Sequence, residues 1–130
     1  KKNSMPRGRK RALRQLSAVD RFSPEMVLYF GKILELAGRH HLNVVLLRFP
    51  VTPEYLNTAE ELMSIDRFYE RIGAITRGYP RIHFLNRQRI FRRPPGFYFH
   101  DAQHLNDKGA EKFSDLIRRD LARLGMPDGG

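Results

Sequence analysis

Two short apolar runs, Asn43-Val-Val-Leu-Leu-Arg-Phe49 and Arg81-Ile-His-Phe-Leu85, flank a longer segment whose apolar residues recur at helical spacing. This alternation restricts the fold more than any other feature of the chain. Antiparallel neighbours need only a tight turn, whereas parallel strands need a crossover of a dozen or more residues, usually a helix. A connection of this length therefore predicts a parallel pair with helices on its faces. The first run ends at Pro50 and reads as a strand buried on both faces, as parallel strands usually are.

Helical periods lie on either side of each run. Ser23-Pro24-Glu25 carries an N-cap, a proline at the first helical position and an acid in the first turn. Met26, Phe30, Ile33, Leu34 and Ala37 continue from it, with Gly38 as the expected stop. Thr58-Ala-Glu-Glu61 has the form of a capping box, followed by a stripe of Leu62, Ile65, Phe68, Ile72 and Ile75 down to Arg77-Gly78. Pro50–Pro53 and residues 86–99 read as loops. Asn106 is the expected cap of a last helix carried by Phe113, Leu116, Ile117, Leu121 and Leu124 and ending before Gly125. The expected fold class is thus α/β, with parallel strands in the order helix–strand–helix–strand–helix. Two strands make a small sheet where about five or six are usual. Such a pair is expected to be half of a larger domain, or to have its strand edge covered by the N-terminal tail or by a second copy of the chain.

The 130 residues suffice for one domain, and 41% hydrophobic residues suffice for a core. No cysteine is present, which excludes disulfides and thiolate metal sites. No run approaches the ~18 apolar residues of a membrane span, and no signal peptide is visible. The first residues are Lys-Lys rather than Met, and the chain reads as a piece of a longer protein. The net charge of +10 is concentrated at one end. Residues 1–23 hold eight Lys and Arg against Asp20 alone, while the remainder holds 16 basic and 13 acidic side chains. Residues 1–22 are accordingly read as a basic tail or linker, flexible over 1–10 with a short helix over 11–22, and residues 23–126 as the folded part.

Asp101 and His104 stand three residues apart in the segment Phe97-Tyr-Phe-His-Asp-Ala-Gln-His-Leu-Asn-Asp-Lys-Gly-Ala110. Nucleophilic acyl transfer needs a base to take the nucleophile's proton and a carboxylate to fix that base's tautomer and stabilise its cation. An Asp-x-x-His turn can supply both from one loop. The loops after the two strands also open at the carboxyl edge of the sheet, where α/β proteins place their chemistry.

Asp101-Ala-Gln-His104-Leu-Asn106-Asp-Lys-Gly109 resembles the last conserved block of the SGNH (GDSL-type) hydrolase superfamily, in which a DxxH motif precedes the closing helix. The Leu-Asn after the histidine and the Gly-Ala at the helix start are similar to its bacterial cell-envelope branches, the D-alanine transfer and alginate O-acetylation proteins. The resemblance covers residues 24–124 as architecture, and only the DxxH block is specific. It implies the C-terminal half of a flavodoxin-like, three-layer domain. It further implies esterase or O-acyltransferase activity on a cell-envelope polysaccharide or other carbohydrate ester, with an acyl donor or carbohydrate ester as partner and an extracytoplasmic location. His104 would be the general base, Asp101 its orienting acid and Asn106 a helix cap, with no metal or organic cofactor. The family's Gly-Asp-Ser block does not occur here. Ser4, Ser17 and Ser23 follow no strand, and the family's oxyanion-hole Gly and Asn have no match. The chain is therefore expected to carry the Asp-His part of a Ser-His-Asp triad and to be inactive alone.

Other residues have plainer explanations. His100 and His104 share the spacing of a zinc motif, but that motif needs an intervening Glu and a helix beneath both rings. His40, His41 and His83 lack spaced partners. Arg87-Gln-Arg-Ile-Phe-Arg-Arg93 reads as a solvated loop, with contact to an anionic polymer or phosphate as its functional alternative. Phe97-Tyr98-Phe99 is expected to anchor its loop to the core. The basic tail supports a second class of function, a non-catalytic module binding an anionic partner. Counterion release would drive binding to a phosphate polymer, and a membrane surface would contribute about 1 kcal/mol per cation. Nucleic acid is not the expected partner, because the tail lacks aromatic interleaving.

Overall fold

The computed structural model describes residues 7–16, 23–62 and 65–126. Eight elements follow one another: α1 (Arg7–Leu16), α2 (Pro24–Arg39), β1 (Val44–Arg48), α3 (Pro53–Leu62), α4 (Ile65–Thr76), β2 (Ile82–Asn86), α5 (Pro95–Tyr98) and α6 (Asp107–Arg123). The two strands pair in parallel, with Val44 opposite Ile82 and Arg48 opposite Asn86. The chain is thus a mixed α/β structure with the expected parallel pair; two helices, α3 and α4, stand between the strands where one was expected, and the short α5 lies within the segment 86–99 read as a loop.

Ser23 caps α2, its Oγ accepting from the Met26 N–H at 3.4 Å. Gly38 does not end that helix, which runs on to Arg39. The left-handed position falls instead on His41 (φ 55°), and Leu42 N–H reaches back to the Ala37 carbonyl at 2.9 Å. That is a Schellman-type ending built without glycine. Nor is Thr58 a helix cap. Pro53 starts α3 five residues earlier, and the Thr58 hydroxyl donates to the Glu54 carbonyl one turn back at 2.9 Å. Of the apolar stripe, Leu62 ends α3, and Ile65, Phe68, Ile72 and Ile75 belong to a separate helix, α4.

The N-terminal segment departs furthest from its reading. Residues 7–10, expected to be flexible, belong to α1, which packs on α3. Ala12 is fully buried there in a cluster with Tyr55, Ala59 and Ala102. A small residue at that point lets a cation-rich helix approach closely while its long side chains spread to solvent. Residues 1–6 and 17–22 lie outside the described residues, and with them the second half of the helix expected over 11–22, whose first half belongs to α1.

Neither strand is buried on both faces as β1 was expected to be: Leu47 is 38% and Phe84 51% exposed. Among the described residues neither strand has a second neighbour, so no flanking strand brings helices across the whole sheet. The main aromatic core lies beside the sheet. Phe91, Phe99 and Phe113 are buried together, with Tyr98 stacked on Phe91 at 4.6 Å between ring centroids. Phe99 and Tyr98 thus anchor their loop, whereas Phe97 is exposed beneath the Lys108 ammonium, 4.4 Å from its ring centre.

One ion pair fixes the last helix to the sheet. Asp120 on α6 has a side chain 2% exposed and accepts a two-pronged contact from Arg87, just beyond β2, at 2.6 and 2.7 Å. Arg123 adds a third bond at 2.7 Å. Bonding to Arg87 holds the Asp120 carboxyl below its usual range against the opposing effect of burial. Arg87 is therefore a structural residue and no part of a solvated run. Replacing Asp120 by Ala should cost roughly 2–3 kcal/mol, below the 3–5 typical of a fully buried pair because Arg87 can turn to water. Chemical denaturation would measure it, and a loss under about 0.5 kcal/mol, the level of an ordinary surface change, would show the fork to be ornamental.

Candidate active site

The loop between β2 and α6 closes into a small ring. Phe99 and Leu105 form an isolated antiparallel bridge, His100 N–H donates to the His104 carbonyl at 2.7 Å, and Asn106 N–H donates to the Tyr98 carbonyl at 2.9 Å. Inside the ring, Asp101 does the organising. Its Oδ1 accepts from the backbone N–H groups of Gln103 and His104, both at 2.9 Å. Its Oδ2 lies 2.7 Å from His104 Nδ1. One carboxylate thus sets the turn and aims the imidazole, because three residues is the span over which an Asx-type turn closes.

The three bonds have an electrostatic consequence. Donation from the Gln103 N–H, helped by the His104 ring and N–H, holds the Asp101 carboxyl down at about 2 although desolvation works the other way. Asp101 therefore stays ionised wherever His104 is asked to carry a proton. The His104 side chain is 66% exposed, and among the described residues nothing bonds to its Nε2. A carboxylate on Nδ1 favours the tautomer with the proton on that nitrogen and a bare Nε2.

The residues after His104 hold this loop on α6. Asn106 caps the helix, Oδ1 accepting from Gly109 N–H at 2.9 Å while Nδ2 donates to the Phe97 carbonyl at 3.1 Å. Gly109 is required by space rather than by backbone angle, since a Cβ there would sit 2.1 Å from the Tyr98 carbonyl oxygen.

No family model, curated protein or solved structure matches the chain. What its residues can do chemically rests on this geometry. Of the expected site residues, Asp101 and His104 are brought together, and Asn106 takes the capping place. His100 is exposed on the ring with no helix beneath it. No group of three or more His, Asp and Glu positioned for a metal occurs among the described residues. Of the hydroxyls, Ser23 is committed to the α2 cap, Ser114 is exposed on α6, and Ser4, Ser17 and Ser64 lie outside the described residues.

Two neighbours of the pair escape sequence reasoning. Thr52 is 3% exposed, its N–H donates to the Ala102 carbonyl at 3.0 Å, and among the described residues its Oγ1 has no partner. With Asp101 and His100 it lines a cavity of about 240 Å³. Its place just beyond the first strand was the available signal. Arg11 of α1 brings Nη2 to 3.8 Å from Asp101 Oδ2 and donates from Nε to Gln103 Oε1 at 3.2 Å. Nothing in a sequence separation of ninety residues announces that contact.

Two outcomes follow for the ring. The depressed Asp101 carboxyl contributes stability that is complete above its unfolded value of about 3.9 and is lost as pH falls toward 2. In acid-unfolding curves the gap between the wild type and Asp101→Asn should therefore close across that window; a gap independent of pH would contradict the bonding described. Gly109→Ala should destabilise by roughly 1–3 kcal/mol through overpacking, read as a lower midpoint in urea, and a neutral effect would contradict the close approach.

Proposed function

We propose that Asp101 and His104 are the acid–base half of a Ser-His-Asp site that performs acyl-ester chemistry. The observation that carries this reading is the 2.7 Å contact of His104 Nδ1 with a carboxylate, on a side chain that is mostly exposed and whose Nε2 has no bond among the described residues. In the proposed step, Nε2 removes the proton of an attacking serine hydroxyl as its oxygen bonds to the ester carbonyl carbon. The same proton passes to the departing alkoxide, and water or a sugar hydroxyl then attacks the acyl-enzyme in the same way. Asp101 remains ionised and compensates the imidazolium charge.

The serine and the oxyanion donors are assigned to strands that complete the sheet. The outer edge of each strand, unpaired among the described residues, supports this, as do the exposed apolar residues Met26, Leu28, Ile33 and Leu36 on α2 and Phe84 on β2. Apolar surface of that extent is ordinarily covered. In this reading residues 23–126 form the C-terminal half of a flavodoxin-like, three-layer domain of SGNH type. Its substrate is a carbohydrate ester or acyl donor of the cell envelope, and its location extracytoplasmic.

A second reading is a non-catalytic module for an anionic partner. Its support is α1, where Arg7, Arg9, Lys10, Arg11 and Arg14 stand among ten residues with no acid. Two of these cations are already engaged, Arg9 with Glu61 at 3.4 Å and Arg11 with Asp101 at 3.8 Å, which favours the catalytic reading.

Hydrolysis of an acetyl ester by the protein as the cell makes it separates the two. His104→Ala should lower kcat by roughly 10²–10⁴, the usual contribution of a general base. Asp101→Asn should lower it comparably with little change in KM. Equal rates for the wild type and both variants would remove the pair from the chemistry.

A further inference from the structure

A second cavity, sharing no residue with the one beside Asp101, lies between the segment after β2 and one face of α6. It measures about 530 Å³, within the range of ligand sites. Arg89 and Arg92 line it from the loop, and Lys112 and Arg119 from positions two turns apart on α6. Buried Phe91 and partly buried Leu116 supply apolar lining.

The charges in this cleft are unbalanced. Arg89 is engaged by Glu60. Asp115 is the one carboxylate among the lining residues, and it pairs with Arg118 at 3.3 Å. Lys112 donates to the neutral Tyr98 hydroxyl at 3.0 Å. Among the described residues, Arg92, Lys112 and Arg119 have no carboxylate partner. Three uncompensated cations around one concavity repel one another, and apolar walls concentrate their field into the cleft. The geometry is also fixed in advance. The Arg87–Asp120 fork joins the start of the loop to α6 immediately beside Arg119, so the two walls are held at a set separation before any ligand arrives.

We infer that this cleft binds an oligoanion carrying at least two phosphate or carboxylate groups, with Arg92 and Arg119 as planar forks and Lys112 as a point charge. The site is independent of the acyl chemistry and of the cations of α1. It gives the run from Arg87 to Arg93 a divided role: Arg87 builds the wall, Phe91 anchors it, and Arg92 faces the ligand.

Calorimetric titration of the 130-residue chain with inorganic tripolyphosphate and with trigalacturonate, at near-physiological salt, tests this. At least one probe should bind. Arg92→Gln with Arg119→Gln should weaken that binding about tenfold or more, the equivalent of ~1.4 kcal/mol. Both side chains are exposed, and an unchanged circular dichroism spectrum and melting point would show the variant folded. A control pair in α1, Lys10→Gln with Arg14→Gln, should change affinity by less than about twofold, because contacts that only add to overall charge are diffuse and screened. Binding of tripolyphosphate alone would identify a phosphate ligand, and binding of trigalacturonate would extend the site to carboxylates. Failure of both probes to bind, or equal weakening by the two variant pairs, would overturn the inference.

Discussion

The parallel pairing of β1 and β2 is the constraint from which the rest of the structure follows. Parallel strands end at the same edge of a sheet, so the chain leaves both at one place and its two loops must share that space. They are tied together there: Arg87 N–H donates to the Arg48 carbonyl at 2.9 Å, Val51 N–H to the Gln88 carbonyl at 3.4 Å and Thr52 N–H to the Ala102 carbonyl at 3.0 Å. Phe49 meets Phe113 of α6 edge-on with ring centres 4.9 Å apart. The Arg87–Asp120 fork then sets the approach of the closing helix. Asp101 and His104 are carried to the carboxyl edge by this arrangement, in the position where open α/β sheets hold their reacting groups.

The segment from Asp101 to Gly109 has a physical reason at nearly every residue. Asp101 closes the turn and holds the ring of His104. Leu105 bridges Phe99 and packs beside the aromatic core. Asn106 caps the helix while gripping the preceding loop, and Gly109 leaves room for the Tyr98 carbonyl. Much of the pattern is thus explained by a rigid strand-to-helix turn. What a turn alone does not require is a histidine at 104. Its ring is mostly exposed and buries little surface, and the backbone bonds to Asp101 Oδ1 would form with any residue but proline there. The imidazole is the member of the segment on which the proposed acid–base role rests.

The sequence disclosed most where one interaction is local. The Ser23 cap, the Asn106 cap, the Asp101–His104 contact and the Gly125 ending of α6 span three to five residues, and each was legible from residue type and spacing. The parallel pair was legible for a different reason, since the connection length left no tight-turn alternative. Long-range packing was not legible. The cation-rich segment 7–16 folds because Ala12 fits against Tyr55 and Ala59, contacts that no periodicity within the segment reveals. Thr58 matched a capping box but lay inside a helix that Pro53 had already begun, so the stronger start signal prevailed. Burial of the first strand was overestimated because it depends on how many strands flank it, which a single apolar run does not encode.

The chemistry proposed for the chain depends on which nitrogen of His104 carries the proton, and Asp101 is positioned to decide it. Nitrogen-15 NMR of the imidazole at alkaline pH, in the wild type and in Asp101→Asn, tests this most directly. The expected result is a proton on Nδ1 and a bare Nε2 in the wild type, with that preference weakened or reversed when the carboxylate is replaced. A wild-type ring protonated on Nε2, or a tautomer unchanged by Asp101→Asn, would contradict the assignment of His104 as a base oriented by Asp101.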